Sequence, residues 1–156
     1  TVSKTNDYLN KLRIKENLRV VILMRGTSEE ERDFYKGFGF KNENLLNKNL
    51  TNPWQTYDVI NKSNITIGFS TSCVQEAWSM EKKGIICDFT DLNSFNYFDL
   101  KLIVRDDDYI VFAKKIKELI SMSSEDYMNK YQEELNKYSV TFRKKTLNLL
   151  KSKIHD

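Results

Sequence analysis

The sequence has little histidine, proline, cysteine or glycine, with one, one, two and five of them among 156 residues. The single histidine, His155, is the last residue but one, so we expect neither a histidine general base nor a histidine-rich zinc site. Cys73 and Cys87 lack the spacing of a metal site, and we predict two reduced, buried thiols of a cytosolic protein.

Long apolar runs and a strong charge of one sign are also missing. No apolar stretch approaches the ~20 residues that span a bilayer, and no signal-peptide pattern is present. The net charge of +3 is too small to predict a nucleic-acid partner, although it leaves open an anionic ligand or an acidic membrane surface. We therefore expect a cytoplasmic location, with peripheral association at the inner face of the membrane left open.

Short apolar runs alternate with helical patterns along the chain. They occupy residues 18–24, 43–49, 64–69, 85–89 and 100–104, the second being the weakest. Runs rich in branched residues are typical of parallel strands covered on both faces. The alternation predicts an α/β fold, a Rossmann-like three-layer sandwich with a parallel sheet of about five strands.

The chain also divides along its length. Residues 18–122 carry the predicted Rossmann-like domain. Residues 1–17 form a linker or N-terminal helix, and residues 123–156 form C-terminal helices that pack on the domain or on a missing N-terminal half. The first residue is Thr1 rather than methionine, which we interpret as a hint of a longer protein.

Helix signals lie between the apolar runs. Thr27 or Ser28 is expected to cap a helix with acids in its first turn, and Gly37 and Gly39 to end it. Asn52 is expected to cap the next helix, with Pro53 at its first position. Gly84 is expected to end the helix after residue 71. The acidic run at residues 106–108 is interpreted as a helix cap rather than a metal site.

A cluster of hydroxyls, Ser70, Thr71 and Ser72, follows the third apolar run. Free backbone N–H groups and the helix dipole make the start of a helix a favourable place for an anion, and hydroxyls add donors for phosphate oxygens. Ordinary capping by one hydroxyl, with the others solvated, is the competing interpretation.

Glu76 lies about one turn into the same helix. Its carboxylate is able to accept two hydrogen bonds from the vicinal hydroxyls of a ribose. A capping box fits Glu76 badly because Cys73 occupies the matching cap position, whereas Ser72 and Gln75 do have the spacing of a box. Glu76 therefore has no equally good local explanation.

Arg25, Gly26 and Thr27 follow the first apolar run. Glycine permits close approach of the backbone, and arginine can bind a diphosphate with both arms of its guanidinium group. The G-x-G-x-x-G fingerprint of dinucleotide sites is missing, and a surface arginine beside a turn glycine is the alternative. The aromatic segment at residues 94–100 could stack on a ring or pack in the core.

The segment YDVINKSNITIGFSTSCVQEAWSMEKKGIICDF resembles the nucleotide-sugar-binding half of GT-B-type glycosyltransferases. The bacterial transferases that make capsule or lipopolysaccharide are the most similar. The shared pattern runs from Ser63-Asn64 through a strand and a hydroxyl-rich loop to Glu76-Ala77. Glu81 stands where the family has glycine before Lys-Pro, and Lys83-Gly84 replaces the proline. The stretch around Glu76 is also similar to UDP-N-acetylglucosamine 2-epimerases.

The resemblance implies roles for the matched residues. Ser70, Thr71 and Ser72, with Gln75 beside them, would contact the donor phosphates, Glu76 would hold the ribose, and residues 25–27 would match the family's first phosphate loop. No cofactor and no metal ion is implied, since helix ends and basic groups neutralise the diphosphate. No catalytic residue is assigned, because the family's catalytic base usually lies on the other half.

The resemblance thus implies the donor-binding half of a glycosyltransferase of surface or capsular polysaccharide synthesis. Its partners would be a nucleotide-sugar donor of unknown base and a glycan acceptor, the latter through a missing N-terminal domain, so this chain alone would be inactive. An epimerase or a polyol-phosphate transferase on the same fold stays open. So does a non-catalytic α/β interaction domain, including a receiver domain in which Asp88 would be the phosphoacceptor.

Overall fold

The computed structural model describes residues 2–69, 71–90 and 101–138. The helices are α1 (Val2–Glu16), α2 (Glu29–Lys36), α3 (Gln55–Lys62), α4 (Ser72–Ser79), α5 (Tyr109–Ser121), α6 (Ser124–Lys130) and α7 (Gln132–Tyr138), with a short 3₁₀ turn at Asn42–Asn44. The strands are β1 (Ile22–Leu23), β2 (Leu45–Leu46), β3 (Thr66–Gly68), β4 (Gly84–Cys87) and β5 (Ile103–Val104). Among the described residues, no helix is long and apolar enough to cross a membrane.

All strand pairs are parallel, which confirms the α/β class. The predicted sheet of about five strands is instead two sheets in the described residues, one of order β1-β2 and one of order β3-β4-β5. The strands are also shorter than their apolar runs, since residues 18–24 supply a strand of only two residues. Hydrophobic patterning identifies which segments are extended, but hydrogen-bonded pairing decides how far each ladder runs.

The larger hydrophobic core surrounds β4, whose four residues are all buried. Side chains of α1, α4, α5, α6 and α7 pack around it, among them Leu12, Trp78, Phe112 and Tyr127. A smaller core of Met24, Phe40 and Leu45 lies beside β1 and β2. Because Leu9 on α1 packs against both cores, this helix links the two sheets.

Helix α6 is joined to the larger core by a hydroxyl group. The Tyr127 hydroxyl donates to the carbonyl of Gly84 (2.7 Å), and it accepts from the Gly84 amide (3.2 Å) and from Trp78 Nε1 (2.9 Å). One tyrosine thereby connects α6 with both β4 and α4. The predicted helices after residue 138 lie outside the described residues.

A buried lysine stabilises the end of α5. Lys83 is 4% exposed, and its ammonium group donates to the carbonyls of Leu119, Ile120 and Met122 at 2.8 to 3.2 Å. These carbonyls carry the partial negative charge of a helix C-terminus, which a cation offsets. Burial lowers the pKa of the Lys83 ammonium group.

Several predicted helix boundaries are corrected. Helix α3 begins at Gln55, because the Asn52 side chain accepts from the Trp54 amide (3.0 Å) and places Pro53 in the turn before the helix. Gly84 is not the end of α4 but the first residue of β4. A Cβ on Gly84 would lie 2.8 Å from Trp78 Nε1, so this position needs a residue without a side chain.

Candidate functional site

The first turn of α4 lies at the carboxyl end of β3. Thr71 is its N-cap, with its hydroxyl accepting from the Cys73 amide at 3.2 Å. One hydroxyl of the predicted cluster therefore serves as a cap, Ser72 is exposed within the first turn, and Ser70 lies outside the described residues. The backbone amides at this end carry the positive end of the helix dipole, which favours a bound anion.

The start of α4 packs directly on the strand that precedes it. A Cβ on Gly68 would lie 2.5 Å from Thr71 Cγ2 and 2.9 Å from Val74 Cγ2, closer than real carbon atoms approach. A side chain at position 68 would thus push the helix away from β3. Gly68 therefore fixes the N-terminus of α4 against the carboxyl edge of the sheet.

Glu76 has a local partner that the sequence interpretation did not assign. The Ser72 hydroxyl donates to Glu76 Oε1 at 2.7 Å, one helical turn away. This bond corrects the expectation that Glu76 has no good local explanation. Among the described residues Oε2 accepts no hydrogen bond, so half of this carboxylate is open. The predicted capping box of Ser72 and Gln75 is wrong, because Thr71 rather than Ser72 is the cap.

The loop of Arg25, Gly26 and Thr27 follows β1, as predicted from the sequence. Its free amides are already bound, since Arg25 N–H donates to Glu31 Oε1 (2.8 Å) and Gly26 N–H to Glu31 Oε2 (3.0 Å). Glu31 comes from the first turn of α2, which Ser28 caps through the Glu31 amide. The backbone of this loop therefore binds a carboxylate, but the carboxylate is the Glu31 side chain of the same chain rather than a ligand. Arg25 and Thr27 are exposed.

Tyr57 lies beside the first turn of α4, a neighbour that the sequence interpretation missed. The pKa of the Tyr57 hydroxyl is raised, first by burial and then by the nearby charges of Glu76 and Cys73. The ring of Trp54 lies 5.9 Å from that of Tyr57, and Trp54 is 44% exposed. Asn52, expected as the cap of this helix, instead forms a turn that places Trp54 at the N-cap.

Two surface depressions, of about 330 and 520 Å³, lie away from the predicted site residues. The first lies near Glu81 and Ser124, and the second lies between α1 and α5 near Lys117. Neither of these two depressions is lined by a predicted site residue.

Two residues of the acidic run after β5 have different structural roles. Asp108 is the N-cap of α5 and accepts from the amides of Ile110 (2.6 Å) and Val111 (3.4 Å), as predicted. Asp107 instead pairs with Lys4 and with the Tyr8 hydroxyl on α1, and these hydrogen bonds lower the pKa of its carboxyl group. Within residues 2–69, 71–90 and 101–138, no three metal-binding side chains cluster.

The carboxyl ends of both sheets thus carry polar groups, but the two predicted loops differ in whether those groups are already hydrogen-bonded within the chain. The loop after β1 has its amides bound by Glu31, whereas the start of α4 presents an exposed hydroxyl and a half-open carboxylate. The aromatic segment at residues 94–100 lies outside the described residues. Comparisons with protein-family models, curated proteins and solved structures find no match for this chain.

Proposed function

We propose that the chain is the nucleotide-sugar-binding half of a GT-B-type glycosyltransferase that acts in the synthesis of a bacterial surface polysaccharide. In this proposal the two parallel sheets belong to one Rossmann-like sandwich of about five strands. The chain would work at the cytoplasmic side of the membrane, with an acceptor-binding half supplied by a further domain.

The observation that carries the proposal is the pairing of hydroxyls with a half-open carboxylate at the first turn of α4. The helix N-terminus favours the diphosphate, and Thr71 and Ser72 supply hydroxyls next to it. Glu76 Oε1 is held by Ser72, so Oε2 is free to accept from a ribose hydroxyl. Gln75, half-buried on the same turn, borders this surface.

Two neighbouring features extend the proposed site. Tyr57 lies near the charge of Glu76, and the exposed ring of Trp54, next to Tyr57, offers an aromatic surface on which a flat ring could stack. The side chains of Arg25 and Thr27, both exposed, remain as phosphate donors of the loop after β1, because Glu31 holds the Arg25 and Gly26 amides. A phosphate could contact those amides only if the Glu31 carboxylate moved away from them.

A titration followed by NMR tests the proposal. The chain is titrated with UDP, GDP, CDP and CMP, and we expect one of them to shift the amide signals of residues 70–76. Glu76→Gln keeps an acceptor for Ser72 but loses the charge that binds the ribose, so affinity should fall about tenfold. Glu125→Gln, at an exposed acid in the first turn of α6, is the matched control and should leave the affinity unchanged.

The outcomes separate the rival functions. No shift at residues 70–76 with any of the four nucleotides would contradict the proposal and favour a non-catalytic interaction domain. An epimerase or a polyol-phosphate transferase would share the same site, so binding alone does not distinguish them from a glycosyltransferase. A turnover assay on the longer protein with each class of donor makes that distinction.

A further inference from the structure

The loop after β1 holds a carboxylate of its own chain on two backbone amides. Arg25 N–H donates to Glu31 Oε1 at 2.8 Å and Gly26 N–H donates to Glu31 Oε2 at 3.0 Å, so each carboxylate oxygen has its own amide. Backbone N–H groups that converge in this way form a site for an oxyanion. The loop is therefore an anion site that is occupied from within the chain.

The backbone of this loop is held in place by β2 and the residues that follow it. The Met24 amide donates to the Leu46 carbonyl at 3.0 Å, and the Lys48 amide donates to the Gly26 carbonyl at 3.3 Å. These two hydrogen bonds continue the parallel pairing of β1 with β2 past Arg25. Because the pairing fixes the loop independently of the carboxylate, we expect the two amides to keep their positions when the carboxylate leaves.

The Glu31 side chain is able to leave without loss of the helix that carries it. The Ser28 hydroxyl caps α2 by accepting from the Glu31 amide at 3.2 Å, so the start of the helix does not depend on the Glu31 carboxylate. The side chain is only half-buried, and water can hydrate both the carboxylate and the exposed Arg25 amide after they separate. Exchange of the carboxylate for another anion therefore costs little free energy.

The occupied loop does not use the glycine that it contains. A Cβ on Gly26 would lie 3.6 Å from Glu31 Oε2, which is an ordinary van der Waals contact, so a side chain would fit beside the bound carboxylate. Without that side chain, the amides have more room in front of them than a planar carboxylate needs. A bulkier tetrahedral oxyanion can use this room once Glu31 has moved.

We propose that Glu31 is an autoinhibitory residue, an intramolecular competitor that keeps the loop after β1 closed until a phosphate group of the nucleotide ligand displaces its carboxylate. This inference rests on the proposed function and adds a control of access to it. A phosphate group offers more acceptor oxygens than a carboxylate, and a diphosphate carries more negative charge, so the ligand displaces Glu31. A free monocarboxylate has no such advantage over a carboxylate that is tethered to the loop, and the closed loop excludes it.

The test compares two variants that lose the same charge from the first turn of α2. The full chain, Glu31→Ala and Glu30→Ala are each titrated by calorimetry with UDP, GDP, CDP and CMP. If the loop is open for about a tenth of the time, Glu31→Ala should raise the affinity for the bound nucleotide about tenfold. Glu30 is exposed in the same turn, and Glu30→Ala should leave the affinity within about twofold of the unaltered protein. Glu31→Gln keeps one acceptor for the amides and should give an intermediate affinity.

A second measurement needs no variant to fold. In the NMR spectrum of the unaltered protein, the bound nucleotide should shift the Glu31 carboxyl carbon and the amides of Arg25 and Gly26, whereas acetate at the same concentration should shift none of them. If a nucleotide shifts residues 70–76 but the Glu31 signal stays, or if Glu31→Ala and Glu30→Ala bind equally, Glu31 only braces the loop, and the inference is wrong while the nucleotide site stands. If no nucleotide shifts residues 70–76 in any of these proteins, the proposed function fails and this inference fails with it.

Discussion

The thiol of Cys87 shows how the core changes the chemistry of a single residue. Cys87 is fully buried in β4, and both cysteines of the chain are free thiols, Cys73 being half-buried. Burial raises the pKa of the Cys87 thiol from 9.0 to about 12, because a thiolate would lose its hydration there. The sequence prediction of a buried thiol is confirmed for Cys87.

This raised pKa makes stability depend on alkaline pH. Between 9.0 and about 12 the unfolded thiol is ionised while the folded thiol keeps its proton, so unfolding releases a proton and becomes easier as the pH rises. The free energy of unfolding should lose about 1.4 kcal/mol per pH unit from this group. Cys87→Ala should remove that part of the slope, as measured by denaturant unfolding at about pH 8 and about pH 10 with reductant present.

Val74→Ala is the control for this prediction, because it opens a cavity in the same core without removing a thiol. It should lower stability at both pH values and keep the slope of the unaltered protein. Equal slopes for Cys87→Ala and the unaltered protein would show that the buried thiol does not carry the pH dependence.

At the scale of elements, the turn between α4 and β4 contains a residue in an unusual conformation. Glu81 has a φ of 58°, in the left-handed region that glycine adopts most easily. The turn is set by the end of α4, where the Lys82 amide donates to the carbonyl of Ala77 at 2.8 Å.

Glu81→Gly should therefore stabilise the protein. Relief of the left-handed strain exceeds the added entropy of the unfolded chain, for a net gain of about 0.5–1 kcal/mol in the free energy of unfolding. Thermal and denaturant unfolding measure this gain. Lys82→Gly, one residue later and without a positive φ, is the control and should destabilise by about the same amount. A loss of stability in Glu81→Gly would mean that its side chain outweighs the strain.

At the scale of the whole molecule, the hydroxyl group of one tyrosine connects α6 with the sheet and with α4. The Tyr127 hydroxyl makes its three hydrogen bonds inside the core, and burial raises its pKa well above the usual value. Tyr131, the next aromatic residue on that side, is equally buried, and its hydroxyl accepts from Lys115 at 3.0 Å.

Tyr127→Phe should cost about 1–3 kcal/mol of unfolding free energy, because the Gly84 amide is left without its partner in the core. Tyr131→Phe loses a hydroxyl from a similar ring and should cost less than about 1 kcal/mol, since Lys115 can turn to solvent. Denaturant unfolding of both variants gives the difference. Equal losses would show that the rings, rather than the Tyr127 hydroxyl, attach α6.

Much of the local structure follows from the sequence. The Ser28 cap, the helix stop at Gly37, the Asp108 cap and the position of each strand are fixed by neighbours within a few residues, so patterns along the chain predict them. The bond from Ser72 to Glu76 is also local, at a spacing of one turn, and the sequence contained it. The sequence interpretation missed this hydrogen bond because it did not assign Thr71 as the N-cap of α4.

Tertiary structure decided the rest, because those features depend on contacts that no local pattern encodes. The described strands pair as one sheet of two and one of three, whereas the alternation of strands predicted about five in one sheet, because pairing depends on tertiary contacts. The amides of Arg25 and Gly26 are occupied because the first turn of α2 places the Glu31 carboxylate against them. Tyr57 lies near Glu76 only because α3 packs on α4. The sequence by itself determined the class of fold and the polar residues at the strand ends, and the packing of helices on strands decided which of them are open to a ligand.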